Sequence, residues 1–312
     1  MVPLPVTIGT RGSPLAIAQT EQVRRLLADA VAELAAAGAV RIATIRTSGD
    51  KFLDRTLSEI GGKGLFTKEI DEALLAGRID LAVHSMKDLP TWLPDGIVLA
   101  CRLPREEPRD AFIGRTGDTL IDLPPGAVVG TASLRRKAQI LHRRPDLNVI
   151  PLRGNVQTRL KKVAERTVDA TLLAVAGLKR LDMADAATAI LSAEELLPAV
   201  GQGAIGITCR TEDDGVRGLL TVLDHDATKT AVMAERAMLE VLDGSCRTPI
   251  AALAQLDADD RLSFRGLIAR PDGSRVIRTH RDGVASDAWS LGRDAGQELR
   301  RRGGPDFFDG AA

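Results

Sequence analysis

The sequence is poor in aromatic residues and cysteine, and it contains no long hydrophobic run. Its 312 residues include no tyrosine, two tryptophans and six phenylalanines, which leaves little from which to build base-stacking surfaces for nucleic acid. No stretch reaches the roughly 18 apolar residues of a membrane span, and the first residues lack the features of a secretory signal. We therefore expect a cytoplasmic protein with neither a nucleic-acid partner nor a membrane partner.

The three cysteines, Cys101, Cys209 and Cys246, show no metal-ligand spacing, and their odd number does not suggest a disulfide framework. Cys101 and Cys209 lie in apolar, strand-like runs, which predict buried thiols. Cys246 follows a helix-ending Gly-Ser in a polar turn. A helix end disfavours a thiolate there and Arg247 favours one, so a single attachment fits better than repeated nucleophilic turnover. The four histidines have no ligand pattern either, and no metal is expected.

Charge is balanced overall but uneven along the chain. Lysine plus arginine and aspartate plus glutamate both total 42, so no global field attracts nucleic acid or membranes. Between Arg135 and Arg166, however, ten basic residues accompany only two acids, Asp146 and Glu165. This basic block predicts an anionic partner.

Short apolar runs alternate with helical patterns over the first two-thirds of the chain, which is typical of α/β proteins with largely parallel sheets. The pattern restarts after "LPREEPRD", so two similar halves are predicted. The run from Ser13 to Gly38 predicts one helix with Pro14 at its first position. After residue 226 a strong helix, alternating strands and a final helix from Trp289 to Arg302 predict a small antiparallel α+β domain.

The expected architecture therefore has three domains. Residues 1–104 and 200–222 form α/β domain 1, residues 105–199 form α/β domain 2, and residues 223–312 form domain 3. The apolar run containing residues 205–209 could return the chain to the first domain.

Two strand-to-helix turns carry serine and arginine, a combination suited to anions, because the first N–H groups of a helix are unpaired. Arginine also matches planar carboxylates with two parallel hydrogen bonds. Taken alone, each turn is better explained as an ordinary helix cap with solvated arginines, but two matched turns favour binding. The candidate residues of the turns are Arg11, Ser13, Thr131, Ser133, Arg135 and Arg136, and those of later strand exits are Arg153, Arg159 and Arg180.

Two further segments combine reactive side chains. In "VHSMKDLP", Ser85, Lys87 and Asp88 follow an apolar strand, where Asp88 could stabilise a cation and the other two could hold anions. A plain Asp-Lys turn is the alternative. In "EIGGKGLF", glycines surround Lys63 and precede Phe66, which fits an active-site lid or a merely flexible connection.

Taken together, these stretches resemble the hydroxymethylbilane synthase family, also called porphobilinogen deaminase. The match extends over nearly the whole chain, and the set and order of its motifs are specific. The motifs are "GTRGSPLA", "GGKGLF", "VHSMKDLP", "EEPRDAF", "GTASLRR", "RRPDL", "LRGNVQTRL", "LAVAGLKRL", "LPAVGQGA", "AERAML" and "DGSCRTPI".

The resemblance implies two α/β domains like those of periplasmic binding proteins, flanking a cleft, plus an α+β domain with a three-stranded antiparallel sheet. It implies that Cys246 carries a dipyrromethane cofactor through a thioether. Four porphobilinogen molecules would be deaminated and joined onto this cofactor, and hydrolysis would release linear hydroxymethylbilane. We expect a monomer that needs no metal.

The resemblance also implies roles for individual residues. Asp88 would be catalytic, and Lys63 and Phe66 would belong to the active-site loop. The cofactor would be held by Cys246, Arg135, Arg136, Ser133, Thr131, Lys87, Ser85 and Asp88. The substrate would be held by Arg11, Ser13, Arg153, Arg159 and Arg180. Glu59 departs from the basic residue that some relatives carry before the glycine-rich loop.

Two other functions are compatible with parts of the sequence. A two-domain anion-binding or sensor protein without chemistry would use the paired turns but would need neither Cys246 nor Asp88. Nucleic-acid binding through the basic block is disfavoured by the balanced charge and the scarcity of aromatic residues.

Overall fold

The computed structural model describes residues 4–51, 67–244, 248–305 and 307–308. The strands in these ranges are β1 (Val6–Arg11), β2 (Val40–Ile45), β3 (Leu81–Ser85), β4 (Ile97–Arg102), β5 (Asp110–Gly114), β6 (Val128–Gly130), β7 (Asn148–Ile150), β8 (Ala170–Ala174), β9 (Ala189–Ile190), β10 (Ile205–Arg210), β11 (Ile250–Leu256), β12 (Arg261–Ala269) and β13 (Val276–Val284). The α-helices are α1 (Pro14–Ala30), α2 (Ser48–Lys51), α3 (Lys68–Leu75), α4 (Leu134–Arg143), α5 (Val156–Ala164), α6 (Val175–Arg180), α7 (Asp214–Thr221), α8 (Asp226–Val241) and α9 (Ala288–Gly303). Short 3₁₀ helices occupy Ala32–Leu34, Met86–Asp88, Ala184–Ala186 and Ala285–Asp287.

The described chain divides into two compact units. The first unit contains residues 4–51, 67–106 and 204–229, and the second contains residues 107–203, 230–244, 248–305 and 307–308. The division of the chain into three domains remains a prediction.

The first unit is built on a five-stranded sheet in the order β2-β1-β3-β10-β4. β1 pairs in parallel with β2 and β3, whereas β10 pairs antiparallel with both of its neighbours. β10 thus returns the chain to the first sheet, an option that the sequence left open. One face of the sheet packs against Val23 and Leu27 of α1, and another cluster includes Ile70 and Leu74 of α3. Helices cover both faces, as in other α/β proteins.

The second unit contains a five-stranded sheet that repeats this pattern. Its order is β7-β6-β8-β5-β9, with β6 parallel to β7 and β8, and with β5 antiparallel to both neighbours. β5 therefore takes the place that β10 has in the first sheet. This equivalence confirms the prediction of two similar α/β halves, each with one reversed strand in an otherwise parallel sheet.

The second unit also contains the antiparallel sheet β11-β12-β13. Phe264 and Ile268 on one face of this sheet pack in a cluster with Met238 of α8 and Leu299 of α9. Alternate residues of the strands, including Leu253 and Leu267, face the other way, as strand geometry requires. The C-terminal α+β fold predicted from the sequence is confirmed.

The long helix predicted from Ser13 to Gly38 is wrong over its last eight residues, 31–38. Ser13 does cap α1 and Pro14 does begin it, but α1 ends at Ala30. Val31 has extended backbone angles, and a 3₁₀ turn then buries Leu34 in the cluster beneath the sheet. Burial of this side chain outweighs the helix propensity of the alanine-rich segment.

Candidate active site

In each unit, the predicted site residues follow the carboxyl ends of neighbouring parallel strands. In the first unit Arg11 ends β1, and Ser85 ends β3 beside it. In the second unit the turn after β6 lies between the exits of β7 and β8. Ligands of open α/β sheets bind at this edge, because parallel strands end there together and their loops converge.

A small pocket of about 60 Å³ opens at this edge of the first unit. It brings together four residues predicted from the sequence, Arg11, Ser13, Ser85 and Asp88. Asp88 lies in the 3₁₀ helix that directly follows β3, and it is half-buried. A guanidinium, two hydroxyls and a carboxylate therefore line one cavity within a single unit. Lys87 is half-buried next to Asp88.

Sequence reasoning missed Gln19 as part of this pocket. Its side-chain amide is joined to the Ser85 hydroxyl by two contacts, Nε2 to Oγ at 2.9 Å and Oγ to Oε1 at 3.0 Å. Gln19 is 3% exposed and lies one turn before Val23 on the inner face of α1. A buried amide at this position fixes the orientation of the Ser85 side chain. A polar residue on the apolar face of a helix was the signal available in the sequence.

His84 forms part of the pocket wall as a neutral group. Its Nε2 lies 3.0 Å from the Thr208 hydroxyl. Burial, assisted by the positive charge of Arg11, lowers the pKa of His84 to about 4. An imidazole that stays neutral near pH 7 adds no positive charge beside Asp88.

The pocket and the helix beside it contain two groups with opposite effects on pH-dependent stability. Burial raises the pKa of Asp71 on α3 to about 6, against a hydrogen bond with Thr67 that lowers it. As pH falls below 6.5, the unfolded chain protonates His84 before the folded chain does, which destabilises the fold. Below about pH 6 the folded chain protonates Asp71 first, which stabilises it. The two contributions partly cancel in the wild type.

We predict that His84→Gln removes the contribution that destabilises the fold as the pH falls. From about pH 7 to about pH 4.5, the unfolding free energy of His84→Gln should rise relative to wild type by about 2 kcal/mol. Over the same pH range, the unfolding free energy of Asp71→Asn should fall relative to wild type. Denaturant unfolding of the three proteins at a series of pH values measures both differences, and parallel curves for all three would contradict the assignment.

In the second unit, Arg135 and Arg136 are buried around one carboxylate. Arg135 Nη2 donates to Asp110 Oδ2 at 2.8 Å, and Arg136 Nη2 donates to Asp110 Oδ1 at 2.7 Å. Their Nη1 atoms donate to the carbonyl oxygens of Leu197 and Leu172. The Nε atoms of both arginines are buried without a hydrogen bond to any residue in the described ranges.

Asp110 is the residue of this cluster that sequence reasoning missed. It is fully buried, and it also accepts a hydrogen bond from Gln202 Nε2 at 2.9 Å. Burial by itself would raise the pKa of Asp110, but the charges of Arg135 and Arg136 outweigh it and hold this pKa well below its usual range. The two guanidiniums and the one carboxylate together carry a net charge of +1 in the interior of the second unit.

The hydroxyls of the second turn have local structural partners. Ser133 caps α4 by accepting a hydrogen bond from Arg136 N at 3.4 Å, and Thr131 Oγ1 accepts one from Ser133 N at 3.2 Å. Ser13 caps α1 in the same way, with Ala16 N as donor at 3.3 Å. By accepting these hydrogen bonds, the hydroxyls stabilise the backbone of the two turns.

The remaining predicted arginines are half-buried, and two of them donate to backbone carbonyls. Arg159 Nε donates to the carbonyl of Gly154 at 2.8 Å, and Arg180 Nη2 donates to the carbonyl of Gly203 at 2.7 Å. Arg153 follows β7, beside the exit of β6. Cys246, Lys63 and Phe66 lie outside the described residues, as does Glu59.

Cys101 and Cys209 are both fully buried, as predicted. Burial raises the pKa of the Cys101 thiol to about 12 and that of the Cys209 thiol to about 11, so neither is a ready nucleophile. Nowhere in the described ranges do three or more His, Cys, Asp or Glu side chains gather as metal ligands. None of the described helices is long and apolar enough to cross a bilayer.

Both the family matches and two of the relatives of this chain are porphobilinogen deaminases. Residues 6–218 match the family described as "Porphobilinogen deaminase, dipyromethane cofactor binding domain", and residues 229–301 match "Porphobilinogen deaminase, C-terminal domain". The chloroplastic porphobilinogen deaminase of Oryza sativa subsp. japonica is 59% identical over 306 residues, covering 97% of this chain and 86% of the relative. The porphobilinogen deaminase of Nitrobacter winogradskyi is 56% identical over 302 residues, covering 97% and 95%.

Among solved structures, a periplasmic substrate-binding protein of an ABC transporter from Coxiella burnetii aligns with 74% of this chain and 96% of its own. The identity is 14% and the TM-score is 0.43, a similarity too low for a functional comparison.

Proposed function

The chain belongs to the porphobilinogen deaminase family, and with it to the enzymes of tetrapyrrole synthesis, and we propose that it is a hydroxymethylbilane synthase. In this proposal the protein is a cytoplasmic, monomeric transferase. It removes ammonia from four porphobilinogen molecules, joins them head to tail on a covalently bound dipyrromethane, and releases linear hydroxymethylbilane by hydrolysis.

The observation that carries this proposal is the pocket of the first unit, in which Asp88 shares a cavity with Arg11 and Ser13. Porphobilinogen offers both kinds of partner that such a cavity needs. Its acetate and propionate suit the Arg11 guanidinium and the Ser13 hydroxyl, and its pyrrole N–H suits a carboxylate acceptor.

Asp88 would lower the barrier of the deamination. The aminomethyl group reacts as its ammonium form: the C–N bond breaks, the electron pair departs with nitrogen as ammonia, and the positive charge moves from that nitrogen onto the pyrrole ring. A carboxylate fixed beside the ring stabilises the charge that develops there, and so stabilises the transition state more than the ground state. The neutral His84 supports this role, because a charged imidazole in the same wall would oppose it.

The residues of the second unit fit the dipyrromethane cofactor. Its two pyrroles carry four carboxylates between them, and the guanidiniums of Arg135 and Arg136 together carry one positive charge in excess over Asp110. In the proposal these arginines hold the cofactor with Thr131 and Ser133, and the family motifs assign Lys87, Ser85 and Asp88 to the cofactor as well. When bound, the cofactor supplies the free pyrrole carbon onto which the product is built.

The remaining assignments follow from the family motifs. Cys246 would anchor the cofactor through its sulfur, in keeping with the burial of Cys101 and Cys209. Arg153, Arg159 and Arg180 would pair with carboxylates of the substrate and the growing chain. The backbone hydrogen bonds of Arg159 and Arg180 would restrict how those two side chains move. Lys63 and Phe66 would belong to a loop over the site.

Turnover of porphobilinogen tests the proposal directly. We expect one ammonia released for each porphobilinogen consumed and one linear tetrapyrrole formed for every four. Ammonia is measured by a coupled enzymatic assay and the tetrapyrrole by chromatography with mass detection. Porphobilinogen that binds but releases no ammonia would instead favour an anion-binding protein without chemistry.

A further inference from the structure

A second, larger cavity in the second unit has no part in the proposed reaction. Its volume is about 630 Å³, and it lies between the sheet β11-β12-β13, the last turn of α4 and the loop around Glu194. We call it the cationic pocket. Its ionisable lining residues are His142, Arg143, Glu194, Arg265, Arg278 and His280.

The pocket exists because α4 covers only part of the sheet. Leu253 and Leu267 on this face pack in a cluster with Ala138 of α4 and Leu197. α4 ends at Arg143, whereas β12 and β13 extend beyond the covered part of the face. The uncovered strand positions form the floor of the pocket, and the last turn of α4 forms one wall.

The strand register places two of the arginines on that floor. Arg265 pairs directly with His280 across β12 and β13, and Arg278 occupies the next position of β13 on the same face, opposite Leu267. Diagonal neighbours of this kind are about 7–8 Å apart. Arg143 reaches the pocket from α4, so the guanidiniums lie on two sides of the cavity.

Positive charge in the pocket is only partly neutralised. Glu194 is the single acid among the lining residues, against three arginines. Its carboxylate accepts a hydrogen bond from Arg265, and its backbone carbonyl accepts one from Arg143. His280 has its own acidic neighbour, Asp282, with Nε2 and Oδ1 separated by 3.4 Å.

Arg278 differs from the other two arginines of the pocket in its lack of a partner for its side chain among the described residues. Its guanidinium forms no hydrogen bond or ion pair with the residues of the described ranges, although its backbone carbonyl accepts from Arg302. Arg143 and Arg278 line the same cavity, and their like charges repel each other. An anion in the cavity would offset this repulsion.

We propose that the cationic pocket binds a small anion carrying two or more phosphate or carboxylate groups. Guanidiniums bind both groups with paired hydrogen bonds, and arginines on two sides of the cavity require more than one such group on the ligand. None of the residues assigned to porphobilinogen or to dipyrromethane lines this cavity. The inference is therefore independent of the proposed function.

Isothermal titration of the full-length protein with pyrophosphate and, separately, with citrate tests the proposal at low ionic strength. We expect wild type to bind at least one of them, and the preferred probe distinguishes phosphate from carboxylate ligands. Arg278→Ala should weaken binding by about tenfold or more, because it removes a charged hydrogen-bond donor. Arg270→Ala removes an equal charge from an exposed position outside the pocket and should change affinity by less than about twofold.

Glu194→Gln gives a test of opposite sign. It removes the carboxylate that competes for Arg265, so anion affinity should increase by several-fold. Asp259→Asn, which removes an equal charge at the exposed β11–β12 turn, should have little effect.

Turnover of porphobilinogen by Arg278→Ala should equal that of wild type. Failure of wild type to bind either probe at millimolar concentration would overturn the proposal. So would equal affinities of Arg278→Ala and Arg270→Ala, since binding that survives Arg278→Ala belongs to another site.

Discussion

Asp88→Asn is expected to lower the kcat for ammonia release by about 100- to 1,000-fold, the range found when one preorganised electrostatic partner of a transition state is removed. Asparagine has nearly the same shape as aspartate and still offers a carbonyl oxygen to a pyrrole N–H. Substrate affinity should therefore change much less than kcat. The covalently bound cofactor should also remain, because Arg135, Arg136 and Cys246 are untouched.

Two variants control this experiment. Asp95→Asn removes the same charge at an exposed position of the segment after β3 and should retain full activity. Asp88→Glu keeps the negative charge but moves it by one methylene, so its kcat should lie between those of wild type and Asp88→Asn. Rates of Asp88→Asn and Asp95→Asn that are equal within error would remove Asp88 from the chemistry and favour a binding protein.

Asp110→Asn is expected to have the largest effect on stability, a loss of about 3–5 kcal/mol. The carboxylate is fully buried and is the ion-pair partner of both Arg135 and Arg136. Asparagine keeps the volume and one acceptor, but it leaves two buried guanidiniums without a counterion. Urea unfolding monitored by circular dichroism measures the difference.

Asp146→Asn is the matched control for this variant. Asp146 also pairs with an arginine, Arg144, at 2.6 Å, but its side chain is 38% exposed. Exposed pairs contribute little to stability because water screens them, so the control should be nearly as stable as wild type. Equal stabilities of the two variants would mean that the Arg135–Asp110–Arg136 cluster does not stabilise this unit. Should Asp110→Asn not fold, the double variant Asp110→Asn with Arg135→Met should recover part of the stability, because it removes one uncompensated charge.

Much of the fold follows from local sequence patterns. Alternating apolar runs and capped helices identify β1 with α1 and β6 with α4 as equivalent segments, and the structure places both pairs at equivalent positions in their sheets. The sequence left open which sheet β10 joins, because the sequence of a strand does not specify the strands with which it pairs. The end of α1 at Ala30 was missed since burial of Leu34 is a tertiary effect.

The site was partly predictable for the same reasons. Arg11, Ser13, Ser85 and Asp88 could be found because each follows or begins an element with a clear pattern, and the structure gathers them in one pocket. The role of Asp110 could not be found, because its partners lie 25 and 26 residues further along the chain. Gln19 could have been found from its place on the inner face of α1. The cationic pocket depends on the cross-strand register, which the sequence alone does not give.

The central claim is that Cys246 carries a dipyrromethane on which the product is assembled. Intact-protein mass spectrometry of the purified wild type and of Cys246→Ser tests it most directly. We predict a wild-type mass above that of the chain by one two-pyrrole adduct, and a bare-chain mass for Cys246→Ser. Alkylation of the unfolded wild type should then modify two of its three cysteines, Cys101 and Cys209. A wild-type protein of bare-chain mass, with three alkylated cysteines, would contradict the account.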